Sequence, residues 1–224
     1  MVSSRTTSQR PRFSNLEFIE VIVFAARHGL VQQPVSIPGN DIVQIAQIDL
    51  LGRAMRAMVT ALERANPATQ FFHLGGRRAE LRGWRQWNGT ASGPAETRQF
   101  AKDMLDLVSD YSMPGKMVFV VENFTEFADS DAERPMKELL KAINRSDHFL
   151  IADGDINSFS SSFGLLGELK SNRHGIALKP DAYDGDSLFK VPFPRVKRHE
   201  FPPGRGFMVQ NGQRTLVHLP LVEQ

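Results

Sequence analysis

The chain has 224 residues, 41% of them hydrophobic and 23% charged, with 27 basic side chains against 25 acidic ones. That length suits one large α/β domain and is too short for two ordinary domains with a linker, and the composition is that of a globular core rather than a disordered chain. A net charge of +2 argues against a dedicated nucleic-acid binder. The absence of cysteine excludes a disulfide framework, a zinc-thiolate site and a cysteine nucleophile.

Residues 1–13 are rich in Ser, Thr and Arg and have no apolar core, so they read as a flexible tail or linker end rather than a signal peptide. Residues 14–224 read as a single domain. The apolar run Phe18 to Ala26 is interrupted by Glu20 and is too short to span a bilayer, so no membrane insertion by this chain is expected. The segment Leu16 to Ala26 fits either a helix or a strand. Val35 to Ile37 reads as a short strand closing at Pro38-Gly39, and Asp41 to Ile48 (DIVQIAQI) as a second strand. Leu50 to Ala65 predicts a helix with Leu51, Ala54, Met58, Ala61 and Leu62 on one stripe, ended by Asn66-Pro67.

Gln70 to Leu74 predicts a strand before the Gly75-Gly76 turn, and Glu96 to Asp110 a helix with Phe100, Met104, Leu107 and Val108 on its apolar side. Met117 to Val121 (MVFVV) is the uninterrupted run of a central strand buried on both faces. A helix over Arg134 to Ile143, a buried strand over His148 to Ala152, a helix over Ser162 to Lys170 and a strand from Gly175 to Leu178 follow. The last third is rich in Pro and Gly and ends in an edge-like strand, Thr215 to Leu219. Strands alternating with helices imply an α/β fold, a mostly parallel sheet with helices on both faces.

The order of elements, with an apolar strand running into an acid, is that of a P-loop NTPase core in three layers. Such a core needs a Gly-rich loop whose amides cradle phosphate, a Lys for the terminal phosphates and a hydroxyl for magnesium. No Gly-x4-Gly-Lys-Ser/Thr occurs in the chain. The turn expected in its place is Ala46 to Ala54. Ala46 and Leu51 stand there for glycines, Gly52 and Arg53 for the Lys and the hydroxyl, and Asp49 brings a negative charge to the phosphate position. Ile48, Leu50 and Leu51 fill the loop with apolar side chains, which suits a pocket for an amphipathic helix better than a nucleotide. No cofactor is expected.

Glu122 follows the apolar strand where this ATPase class carries an acidic pair, but its neighbour Asn123 cannot act as a base. The plainer reading is that both bond to nearby turns. Asp153-Gly154-Asp155 reads as a turn rather than a metal loop, and the six histidines show no ligand spacing. His73, His148 and His218 read as strand histidines, and the serine cluster Ser158 to Ser162 as the loop that starts a helix. Trp84 and Trp87 with Arg82 and Arg85 have the composition of a base-stacking surface, although a partly buried helix or loop anchor is the simpler account.

The C-terminal third carries a family resemblance. Gly175-Ile176-Ala177-Leu178-Lys179-Pro180, Asp184-Gly185-Asp186-Ser187-Leu188-Phe189, Pro202-Pro203-Gly204-Arg205-Gly206 and the closing strand resemble, in that order, the end of FtsK/SpoIIIE-type ATPase domains. The Gly-Gly turn after QFFHL fits the same pattern, so the resemblance runs from about Val35 to Leu219. It is most like the last ATPase-like domain of the EccC/EssC-type motor of type VII secretion. The resemblance implies a RecA/FtsK-like fold, and ATP with magnesium as the cofactors of the wider family. It implies neighbouring ATPase domains of one motor and small helical WXG100-type substrates as partners, and a location on the cytoplasmic side of the membrane. With the loop erased, the implied role is substrate recognition or regulation rather than hydrolysis. The alternatives are a divergent active ATPase using Glu122 with Arg205 as an arginine finger, and a DNA-translocase domain, which the near-neutral charge disfavours. No catalytic residue is assigned; Glu122 and Arg205 are the candidates.

Overall fold

Apolar runs of strand period alternate with segments carrying apolar residues at helical spacing, and the chain winds accordingly. A computed structural model describes residues 21–25, 40–76, 79–110, 115–155, 159, 163–178, 180, 182–195, 201–202, 204–210 and 212–218. For 21–25, 40–51 and 155 the description is of the backbone alone. The elements are β1 (Val21–Ala25), α1 (Asn40–Ala65), β2 (Gln70–Gly75), β3 (Gly89–Ser92), α2 (Gly93–Ser109) and β4 (Met117–Val121). They continue as α3 (Glu133–Ile143), β5 (Phe149–Asp155), α4 (Gly164–Ser171), β6 (Gly175–Leu178), α5 (Asp184–Phe189), β7 (Arg205–Gln210) and β8 (Gln213–His218).

The strands form one sheet in the order β3-β2-β4-β5-β1-β6-β7-β8. The first six are parallel, and β7 and β8 are added antiparallel. Alternate side chains of each strand feed two cores, as the period of two requires. Phe72, Leu74, Phe119, Val121, Leu150 and Ala152 pack with residues of α2, α3 and α4. Their neighbours Phe71, Val118, Val120, Phe149 and Ile151 pack with Met55 and Val59 of α1 and with Leu81. Helices thus cover both faces, as the expected three-layer α/β arrangement requires. No helix among the described residues is long and apolar enough to cross a membrane.

Two expectations of local structure change. Asp41 to Ile48 is not a strand: it forms the first part of α1, which runs unbroken from Asn40 to Ala65. Its apolar residues come as Ile42-Val43, Ile45-Ala46 and Ile48, a recurrence every three residues rather than every two, and the β-branched content had masked that helical spacing. Asp153 to Asp155 is likewise not a turn. It closes β5, where Asp153 pairs with Val23 and Asp155 with Ala25 of β1. The stripe of α1 also shifts: Ala54, Met55 and Val59 are buried, whereas Ala61 is exposed. The strand expected at Val35 to Ile37 lies outside the described residues.

Local chemistry accounts for the remaining boundaries. In α2, Pro94 sits in the first turn and the Glu96 carboxylate accepts the Ser92 amide at 2.9 Å, closing the N-terminus. Of the Pro-Gly-Arg-Gly ending, Arg205 and Gly206 already belong to β7. A Cβ on Gly206 would lie 2.3 Å from the carbonyl oxygen of Ala177, so only glycine lets β7 approach β6 there. Arg205 pairs with His218 of β8 and is half-buried, so it opens a strand rather than capping a loop.

Candidate functional site at the carboxyl edge of the sheet

The six parallel strands end on one edge, where ligand sites of open α/β sheets form. β2, β4 and β5 are neighbours; His73 is in register with Val120, and His73, Glu122 and Asp153 share the side-chain parity of Phe71, Val120 and Ile151, which face α1. This brings together His73, Glu122 and Asp153, all at least nine-tenths buried. Their sequence separations gave no hint of the grouping.

Glu122 continues the ladder past β4, its amide donating to the Leu74 carbonyl at 2.9 Å. Its carboxylate is fully engaged. Oε1 accepts the backbone N–H of Glu80 at 2.9 Å, and Oε2 accepts that of Leu81 at 3.0 Å. Oε2 also lies 2.6 Å from Nε2 of His73, which donates to it. Asn123 takes a left-handed conformation (φ 53°, ψ 54°), and its amide donates to the Asp153 carboxylate. Its side chain is held by Glu126 at 2.5 Å and by the Thr125 hydroxyl at 3.2 Å. Burial, reinforced by the charges of Glu122 and Glu80 and opposed by the Asn123 amide, pushes the Asp153 carboxyl up to about 7.

Magnesium and a nucleotide are what a P-loop fold implies at this edge, with the strand-end acid as a metal ligand. The carboxylate of Glu122 does not fit that role as it stands. Two amide dipoles and an imidazole N–H surround it, all with their positive ends toward any cation, and the Asn123 amide is no base. The glycine-to-phosphate equivalence at 46–54 fails on position as well. Ala46, Ile48, Asp49, Leu50, Leu51, Gly52 and Arg53 lie on consecutive turns of α1, not in a loop after a strand. The connection that follows β1 and precedes α1 is residues 26–39, outside the described residues. It contains no Gly-Lys-Ser/Thr run.

Trp84 and Trp87 are half-buried in the segment between β2 and β3, as a loop anchor would be. The Trp87 indole N–H donates to the carbonyls of Leu81 (3.1 Å) and Arg82 (3.2 Å), and its ring lies 5.1 Å from that of His73. Arg85 stacks on Phe71 at 4.7 Å and pairs with Glu63 at 2.8 Å. Around them lies a shallow basin of about 730 Å³, lined by Glu63, Trp84, Arg85, Gln86, Trp87 and Asn88.

The sheet order and layering are those of the three-layer P-loop NTPase fold. In fold the structure is similar to parts of solved type VII secretion ATPases. It superposes on the cytoplasmic domain of the type VII secretion ATPase EccC from Thermomonospora curvata with a TM-score of 0.63, at 16% identity, over 92% of this chain and 24% of that one. Against EssC (ATPases 2 and 3) from Geobacillus thermodenitrificans the TM-score is 0.61 at 18% identity, over 91% and 37% of the two chains. Against T. curvata EccC (ATPases 2 and 3) in complex with a signal sequence peptide it is 0.62 at 16% identity, over 92% and 37%. The chain therefore spans between a quarter and two fifths of these structures. No family model and no curated protein matches the sequence.

Proposed function

We propose that this chain is a nucleotide-independent, ATPase-like module of a type VII secretion motor, acting in substrate recognition or regulation. The observation that carries the reading is the likeness over nine-tenths of the chain to motor modules, one of them solved with a signal sequence peptide. The lack of any Gly-x4-Gly-Lys-Ser/Thr run supports a role without hydrolysis. The partners under this reading are neighbouring ATPase domains and small helical WXG100-type substrates, on the cytoplasmic side of a membrane-anchored complex. Phe163 and Tyr183 are 85% and 83% exposed where α4 and α5 begin. These helices follow β5 and β6, the two strands that flank β1, so two large aromatics face solvent at the site's edge.

The proposed contact for the signal helix is the first half of α1, through Ile48, Leu50 and Leu51. Because these positions lie on a helix, Leu50 is about 160° around the axis from Ile48 while Leu51 is about 60° from it. One bound helix therefore engages Ile48 with Leu51, or Leu50, but not all three. Titrating the domain with a labelled peptide from a cognate substrate tail, read by anisotropy, tests this. Leu51→Asp or Leu50→Asp, whichever lies on the contact face, weakens binding at least tenfold. Binding to neither the native chain nor either variant overturns the receptor reading.

A further inference from the structure

We infer that Glu122 is the anchor of the segment 79–88, and not a metal acid. The segment makes up most of the crossover between two parallel strands, β2 and β3, and its described residues form no helix. Crossovers between parallel strands normally carry a helix that packs on the sheet and satisfies its own backbone. Here the sheet edge supplies what the helix would have supplied.

Three ties hold the segment along the α1 face. At its start, the two oxygens of Glu122 accept the amides of Glu80 and Leu81, and Leu81 is buried against Met55, Val59 and Phe71. In its middle, the Trp87 indole bonds back to the Leu81 and Arg82 carbonyls, closing the segment on itself. At its end, Asn88 is bound twice to Phe71: its amide donates to the Phe71 carbonyl at 2.8 Å, and its side-chain oxygen accepts the Phe71 amide at 2.8 Å. His73 joins the first tie to the second, since one ring donates to Glu122 and lies tilted beside Trp87. The close return of the chain after β2 is built for this geometry, because a Cβ on Gly75 would meet that of Ala79 at 2.6 Å.

An ionised carboxylate is the one side-chain group that can accept two backbone amides and an imidazole N–H at once. The same arrangement faces three donors toward the carboxylate and leaves a cation no approach from that side. The acid at the end of β4 thus keeps its place and changes its role, setting the position of the tryptophan- and arginine-bearing surface of the basin. That role is independent of the receptor reading, since it concerns what holds one segment and names no partner.

Trp84 and Trp87 are the only tryptophans of the chain, so intrinsic tryptophan fluorescence reports on this segment alone. Hydrogen exchange at the Glu80 and Leu81 amides, with β4 amides as the internal reference, reports on the tie itself. In Glu122→Gln the side-chain amide replaces one acceptor by a donor. The expected result is exchange about tenfold faster or more at Glu80 and Leu81, with a red-shifted tryptophan emission and unchanged exchange in β4. Should Glu122→Gln fail to fold, Glu122→Asp, which keeps the charge but withdraws it by one methylene, is read in the same way. Unchanged exchange at Glu80 and Leu81 in the variant that folds would overturn the inference. So would Mn²⁺ binding by the native chain that Glu122→Gln abolishes.

Discussion

Phe119→Ala is expected to cost about 3–5 kcal/mol of folding stability, the largest effect of any single truncation considered for this domain. Phe119 is the middle residue of β4, is fully buried, and is flanked on the sheet by β2 and β5. Its ring stacks on Phe72 with centroids 5.3 Å apart and planes 18° from parallel. Truncation removes that pair and opens a void in a layer that α2 and α3 cover from above, where the surrounding helices can collapse only in part. Urea unfolding checks it: the midpoint falls while the slope stays the same, because the change is in packing and not in compactness. Phe163→Ala, at an 85% exposed position, is the matched control and should change stability by no more than about 0.5 kcal/mol.

The second large effect concerns pH. Asp153 is raised from 3.8 to about 7 by burial, so the folded state holds its proton more tightly than the unfolded chain does. The sign follows from linkage. The contribution of this group is fully present below about pH 4 and is lost as pH rises through about 7. Over that window it amounts to something on the order of 4 kcal/mol, at about 1.4 kcal/mol per pH unit. His148 acts in the opposite sense. Its Nδ1 accepts the Met117 amide at 3.2 Å, and burial lowers its pKa from 6.5, so its contribution is present above pH 6.5 and is lost as pH falls through the lowered value. The two partly cancel in the native curve, and a variant is needed to separate them. Asp153→Asn keeps an oxygen to accept the Asn123 amide but cannot ionise. It should be more stable than the native chain at pH 8, and its stability should fall less between pH 4 and 7. Parallel curves for the two proteins would contradict the assignment.

How much of this could be read from the sequence depends on the range of the interaction concerned. The central strands were legible because MVFVV and HFLIA are apolar at nearly every position, which only a strand covered on both faces tolerates. The helices α2 and α3 were legible from their stripes. The first half of α1 was not, since β-branched residues at three-residue spacing imitate a strand when the spacing is not counted. β7 was hidden in the Pro-Gly-Arg-Gly ending. A usable signal stood beside it: Asn211-Gly212 between Gln210 and Gln213, which pair across the hairpin, is the dipeptide of a two-residue turn. β3 and α5 are four and six residues long and carry no period of their own.

At the site, the sequence indicated that Glu122 and Asn123 end a strand and bond to nearby turns, and the geometry has them doing that. It could not indicate that His73 would be the partner of Glu122, 49 residues away, or that Asp153 would accept the Asn123 amide. Those contacts follow from the strand order β2-β4-β5, which is a property of the whole sheet. Nor could it place Ile48, Leu50 and Leu51 correctly, because the error over the start of α1 put them in a phosphate-type loop when they lie on a helix.

The most direct test of the central claim, a motor module that works without nucleotide, is calorimetry on the native chain with two ligands in turn. The expected result is no heat of binding with ATP and magnesium, and saturable binding of a signal-tail peptide unchanged by their presence. Saturable ATP binding that requires magnesium and is weakened by Glu122→Gln would contradict it.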